Sequence, residues 1–232
     1  MQTKIFTQKE MEDSVIQNAY SMIVGNIVLM RKDNIPKTIA ITSCNPNEGK
    51  SSVSTLFAIT MAEMNKKTLL VDLDLRKKQI KNRSIQPNLY GVAQFIKGDM
   101  ELEEITCKSN IDNLFFIDTG KVYGNPLSLL CSDRMITFIN EVKKEYDCIV
   151  FNTPSMECNS DALIISSISD ATILIAKLGS TKLTSIKKVE EQLKRTDSNL
   201  IGIVLNKTGK SIFRKRFTSF DYYTKKGIVD NA

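Results

Sequence analysis

The residues that could do chemistry gather first in ITSCNPNEGKSSVSTLFAIT, residues 41–60. Within it Asn45, Pro46, Asn47, Glu48, Gly49, Lys50, Ser51 and Ser52 lie between a short apolar run and a helical pattern, the context in which a Gly-Lys-Ser spacing marks a phosphate-binding loop. Consecutive backbone N–H groups in such a turn curl into an anion nest at a helix N-terminus, where the helix dipole favours negative charge. Lys50 is then placed to reach the β- and γ-phosphates of a nucleotide, and the Ser51 hydroxyl to ligate Mg²⁺. Gly49 supplies backbone freedom beside the phosphates, and Asn47 is one of the few non-glycine residues that tolerates positive φ. The loop opens on Ser43, not on the glycine of the usual pattern. The competing reading is a lysine-capped turn with no ligand.

A second concentration is LLVDLDLRKK, residues 69–78, in which Asp72 and Asp74 share one side of the chain if the backbone stays extended. Paired carboxylates at a strand tip are costly to leave unpaired, and they are natural partners for Mg²⁺ or for the proton of an attacking hydroxyl. Arg76, again on that side, is placed to neutralise one of them or to touch phosphate. The plainer alternative is an acidic strand end neutralised by Arg76 and Lys77.

These residues must be positioned by a scaffold, and its pattern is an alternation. KTIAITS (37–43), KTLLVDLD (67–74), NLFFIDT (113–119), DCIVFNT (147–153), ATILIAKL (171–178) and LIGIVLN (200–206) read as buried strands. Helical patterns lie between them, notably over 51–65, 126–144 and 182–195. The prediction is an α/β fold: a mainly parallel sheet with helices on both faces, whose ligands bind beyond the carboxyl ends of the strands. Residues 1–35 read as a helical appendage, with a helix over 11–30 whose Ile16, Ala19, Ile23 and Ile27 suit packing on a neighbour. Residues 36–209 read as the P-loop domain, and 210–232 as a basic C-terminal tail with tyrosines.

Composition narrows the chemistry. The chain of 232 residues has no histidine, so catalysis must run on carboxylates, lysine or a bound metal. Its five cysteines, Cys44, Cys107, Cys131, Cys148 and Cys158, are scattered without CxxC spacing and read as reduced, packed thiols. No run approaches the roughly 18 apolar residues of a membrane span, and a cytoplasmic protein is expected. The net charge of +6 resides in residues 207–226, where Lys207, Lys210, Arg214, Lys215, Arg216, Lys225 and Lys226 face Asp221 alone. Such a tail is either a solvated end or an attraction for anionic lipid, nucleic acid or an acidic partner.

The loop, then LLVDLDLR (69–76), then CIVFNTPS (148–155) resembles the bacterial tyrosine kinases, or BY-kinases, of capsule and exopolysaccharide operons, relatives of the MinD and ParA P-loop ATPases. NPLSLLCSDRM (125–135), NSDALI (159–164) and LIGIVLNKT (200–208) are similar to family segments in the same order, so the likeness covers nearly the whole chain. It implies a MinD/ParA-like fold and an autokinase using ATP and Mg²⁺, with Lys50, Asp72 and Asp74 catalytic. Asp72 is implied as the base-like carboxylate near the acceptor hydroxyl, Asp74 as a supporting acid, and Asn206 as the side chain reading the adenine edge. The implied acceptors are tail tyrosines, here Tyr222 and Tyr223. Asn45 stands where MinD- and ParA-type loops carry an extra signature lysine, which favours the kinase branch.

The same resemblance exposes two departures. The family ends its third motif on aspartate, in a role implied to orient Mg²⁺ through water, and this chain has Asn152; loss of such a group costs on the order of 10 to 100-fold in metal affinity or activity. Asn18, Ser21 and Val24 stand where the family carries a glutamate and two arginines that join subunits into a ring, which puts that ring in doubt and leaves self-association open. The resemblance also implies recruitment to the inner face of the membrane by a membrane-embedded, polysaccharide co-polymerase-type adaptor, and no specific nucleic-acid partner. The expected function is therefore a tyrosine autokinase of reduced or adaptor-dependent activity. The alternatives are a pseudokinase acting as a nucleotide-gated regulator, and a MinD-like positioning ATPase.

Overall fold

The computed structural model describes residues 3–4, 14–30, 35–76, 90–157 and 160–207. In chain order its elements are β1 (Thr3–Lys4), α1 (Ser14–Met30), β2 (Thr38–Ser43), α2 (Lys50–Glu63), β3 (Thr68–Asp72), α3 (Val92–Lys97), α4 (Leu102–Ile105), β4 (Cys107–Ser109), β5 (Leu114–Ile117), α5 (Pro126–Leu130), α6 (Asp133–Glu145), β6 (Cys148–Asn152), α7 (Asp161–Ser167), β7 (Ala171–Lys177), α8 (Leu183–Arg195) and β8 (Leu200–Asn206). The six apolar runs are the six main strands, and those inside the sheet are buried along almost their whole length, as strands covered on both faces must be.

The sheet order is β1-β4-β5-β3-β6-β2-β7-β8. All pairings are parallel except β4 with β5, so the mainly parallel α/β expectation holds. Side chains alternate between two cores, as the period of two requires. Ile39 and Ile41 join Val53, Phe57 and Ala58 of α2 and Val24 and Ile27 of α1 on one face. Ala40, Leu69, Val71 and Phe151 join Phe95, Phe138 and Val142 of α3 and α6 on the other. No helix among the described residues is long and apolar enough to cross a membrane.

Several elements depart from the periodicity. The single helix expected over 126–144 is two, α5 and α6, because the Ser132 hydroxyl accepts from Met135 N–H and restarts the helix. The short β4 and the helices α3, α4 and α7 are too brief to declare a period. α1 is described from Ser14, and residues 11–13, where its start is expected, lie outside the described residues.

The amino end of the sheet is tied by Asp170, whose carboxylate accepts from Thr38 N–H at 2.9 Å and pairs with Lys143 at 2.7 Å. Burial alone would raise its pKa, but the Lys143 and Thr38 hydrogen bonds outweigh it and hold the carboxyl below its ordinary range. Stability from this group is thus full above the unfolded value of about 3.9 and is lost as pH falls through the lower folded value. Asp170→Asn is expected to lower the urea midpoint at pH 7, with the gap from the parent narrowing below pH 4; a gap independent of pH would remove Asp170 from the account.

Candidate active site

β2 delivers the chain at Ser43 to a turn that ends where α2 begins at Lys50. Two positions need left-handed backbone: Asn47 at φ 61° and Gly49 at φ 95°. Asn47 therefore does hold a positive-φ turn, and at Gly49 a Cβ would lie 2.1 Å from the Asn206 amide nitrogen. Four residues separate the two glycines of the pattern, so counting five back from Gly49 puts the leading glycine's position on Cys44 and not on Ser43. Cys44 lies outside the positive-φ set, so no glycine is required there. Its thiol is buried, and burial with the nearby Glu48 and Glu157 pushes it up to about 11, a packed and protonated group.

Glu48 shapes the loop from beneath. Its side chain is buried and accepts from Asn45 N–H at 3.0 Å, from the Asn45 side-chain amide at 2.8 Å and from the Thr181 hydroxyl. Only its backbone is therefore available to face a ligand, and Asn45 spends its amide on the loop itself. Thr181, in the turn between β7 and α8, was invisible in the sequence because 133 positions separate it from Glu48. From above, Asn206 donates to the Glu48 carbonyl at 2.9 Å and Lys207 to the Asn47 carbonyl at 3.3 Å.

The loop fits a phosphate. α2 has 14 residues, its N-cap Gly49 supplies no side-chain cap, and its first turn carries no acidic residue. The N-terminal N–H groups thus have no capping oxygen from Gly49, and the local field favours an anion.

Cross-strand register supplies the second half of the site. Asn152 stands opposite Ile41 on one side and Asp72 on the other. Its side-chain amide donates to Asp72 Oδ1 at 2.9 Å, and its Oδ1 lies 3.4 Å from the Ser54 hydroxyl of α2. Ser54, one turn beyond Lys50, donates to the Lys50 carbonyl at 2.9 Å. Ser54, Asn152 and Asp72 therefore connect the phosphate-loop helix to the carboxylate at the β3 tip.

Two placements differ from the sequence reading. β3 ends at Asp72, and the Asp74 N–H donates back to Asp72 Oδ1 at 3.1 Å, so the extended geometry needed to set the two carboxylates side by side is not there. Arg76 neutralises neither of them: it makes a two-pronged pair with Asp161 of α7 at 2.7 and 3.0 Å, and Asp161 is fully buried. This pair staples the segment after β3 to the segment after β6, 85 positions away. Tyr222, Tyr223 and Cys158 lie outside the described residues.

The comparisons with known proteins agree with this geometry. The family model described as "AAA domain" matches residues 36–203. A tyrosine-protein kinase CpsD of Streptococcus pneumoniae serotype 4 is 35% identical over 217 residues, spanning 91% of this chain and 93% of that protein. In fold alone, the chimerical protein CapA2B2 superposes with a TM-score of 0.80 at 24% identity, over 90% of this chain and 94% of that one. MinD of Pyrococcus horikoshii, solved with Mg-ADP, superposes at 0.61 and 22% identity, over 75% of this chain and 71% of that one.

Proposed function

The chain belongs to the bacterial tyrosine kinase (BY-kinase) family, related to the MinD/ParA ATPases, and from that premise we propose how its own residues serve as an ATP-dependent protein-tyrosine kinase of capsule or exopolysaccharide biosynthesis. ATP is bound by the loop of residues 45–52, with Lys50 and the first N–H groups of α2 facing the transferring phosphoryl group and stabilising the charge that spreads over its oxygens. Ser51, Asp72 and Asn152 would hold Mg²⁺, which would supply positive charge against the phosphate oxygens. A tyrosine phenol, with an ordinary pKa of about 10, is a poor nucleophile near neutral pH, and Asp72 accepts its proton as it attacks. Asp74 supports that carboxylate from two residues away. Asn206 reads the adenine edge from the end of β8, beside the loop it already touches.

The observation that carries this reading is the register that sets Asp72 against Asn152, and Asn152 against Ser54 of the helix that begins at Lys50. Residues 36–209 form the kinase unit, Tyr222 and Tyr223 are its tail acceptors, and the cytoplasmic segment of a membrane-embedded polysaccharide co-polymerase brings the protein to the membrane and sets its turnover. The test is incubation of the full chain with MgATP, with and without a peptide of that adaptor segment, followed by mapping of phosphotyrosine. Phosphate on Tyr222 and Tyr223 that increases with the peptide is the expected result. ATP binding without phosphotyrosine in either condition would overturn transfer and leave a nucleotide-gated regulator.

A further inference from the structure

A tyrosine kinase that modifies its own kind needs phenols that meet solvent, and the chain carries six tyrosines: Tyr20, Tyr90, Tyr123, Tyr146, Tyr222 and Tyr223. Two are poor candidates by environment. Tyr146 is buried, and burial followed by the neighbouring Glu145 pushes its phenol up to about 12. Burial does the same to Tyr20. Tyr90 and Tyr123 are both more than half exposed, at 51% and 56%.

Tyr123 is set apart by its electrostatic surroundings. Among the described residues it is the exposed tyrosine whose ring is met by two ammonium groups, Lys97 Nζ at 4.5 Å and Lys121 Nζ at 4.8 Å from the ring centroid. Its position is also right. β5 ends at Ile117, opposite Val71 in the β3 register, so the loop that carries Tyr123 leaves the same edge of the sheet as Asp72. The loop is fixed on its near side: Val92 and Ala93 N–H donate to the carbonyls of Asp118 and Thr119, and the Gln94 amide donates to the Lys121 carbonyl at 2.8 Å. Gly120 sits so tightly that a Cβ would meet Gln94 Oε1, while Gly124, at φ 87°, opens onto free space beyond Tyr123. The phenol is thus held outward by an anchored turn.

Resting on the kinase reading above, we propose that Tyr123 is a further phosphoacceptor of this enzyme, and that Lys97 and Lys121 hold the phosphate once it is installed. In the step, the Tyr123 oxygen forms a bond to the γ-phosphorus of ATP as the bond to the β–γ bridging oxygen breaks. ADP leaves with that electron pair, and the phenol proton passes to the carboxylate base of the active site that holds the ATP. The product carries a charge of about −1.5 to −2, which two ammonium groups already gathered at the ring are placed to meet with charge-assisted hydrogen bonds. Lys97 closes α3, so the modified loop becomes tied to that helix end.

The experiment uses the full chain with MgATP and the adaptor peptide, in parent, Tyr123→Phe, Tyr222→Phe/Tyr223→Phe and triple Phe forms, with phosphopeptide mapping. The tail double variant is expected to retain phosphotyrosine at Tyr123, and the triple form to lose it. Lys97→Gln/Lys121→Gln is expected to leave the fold unchanged and to speed removal of the Tyr123 phosphate by an added tyrosine phosphatase several-fold. Phosphate on Tyr222 or Tyr223 with Tyr123 unmodified overturns this inference and leaves the kinase reading standing. Phosphotyrosine nowhere, with ATP bound, overturns both.

Discussion

Asp72→Asn is expected to lower the rate of tyrosine phosphorylation by roughly 10²- to 10⁴-fold, the usual worth of a positioned general base. The same variant should fold as the parent does. Asp72 Oδ1 accepts from the Asn152 amide at 2.9 Å and from Asp74 N–H at 3.1 Å. An asparagine in the same rotamer keeps an oxygen where both donors point, so the change in stability should stay within about 0.5 kcal/mol. What it loses is the negative charge and the basic lone pair, which matter when a phenol must give up its proton. The checks are thermal unfolding, ATP calorimetry in Mg²⁺ and the initial rate of phosphotyrosine formation. A fall in rate with ATP affinity intact supports the base. If MgATP affinity falls in parallel, the carboxylate acts chiefly on the metal, and an unchanged rate removes Asp72 from the chemistry altogether.

How much of this site could be read from the chain depends on the distance over which each contact acts. The loop was legible because its parts are contiguous: strand, turn and helix follow one another from Thr38 to Glu63, and the asparagine at position 47 signals a left-handed turn on its own. The six strands were legible because each is a run of β-branched and apolar residues, but β8, expected as a buried strand, is the edge of the sheet and leaves Ile203 and Leu205 exposed. Contacts between distant segments were not. The Arg76–Asp161 pair spans 85 positions and the Thr181–Glu48 contact 133, and no local pattern distinguishes Thr181 from the other hydroxyl residues around it. Asp161 was in view only as part of a family-like segment, with no partner attached. The break at Ser132 was in principle visible, since Ser-Asp before a helical run is a start signal, but the apolar periodicity on either side of it masked the stop.

The register between β3 and β6 makes a sharper prediction about Asn152. In this chain the amide is a donor to Asp72, an arrangement that satisfies both groups without a cation. Asn152→Asp turns that 2.9 Å contact into two facing carboxylates beside Ser54, in a position that is 5% exposed. Like charges so close cannot both ionise easily, and the pair is expected to keep a proton to a higher pH than an isolated carboxylate. The folded value rises above the unfolded one, so the penalty is absent in acid and grows as pH rises toward neutrality. Without Mg²⁺ the variant should therefore melt below the parent at pH 8 and approach it at pH 5. With MgATP the ordering should reverse if the second carboxylate orients the metal as proposed: Mg²⁺ affinity or phosphorylation rate should then rise about 10- to 100-fold over the parent. Restored turnover together with metal-dependent recovery of the melting temperature would identify Asn152 as the residue that holds this kinase at low activity. A variant that loses stability at pH 8 and gains neither rate nor protection from MgATP would place Asn152 outside the reach of the metal, and would return the control of turnover to the adaptor alone.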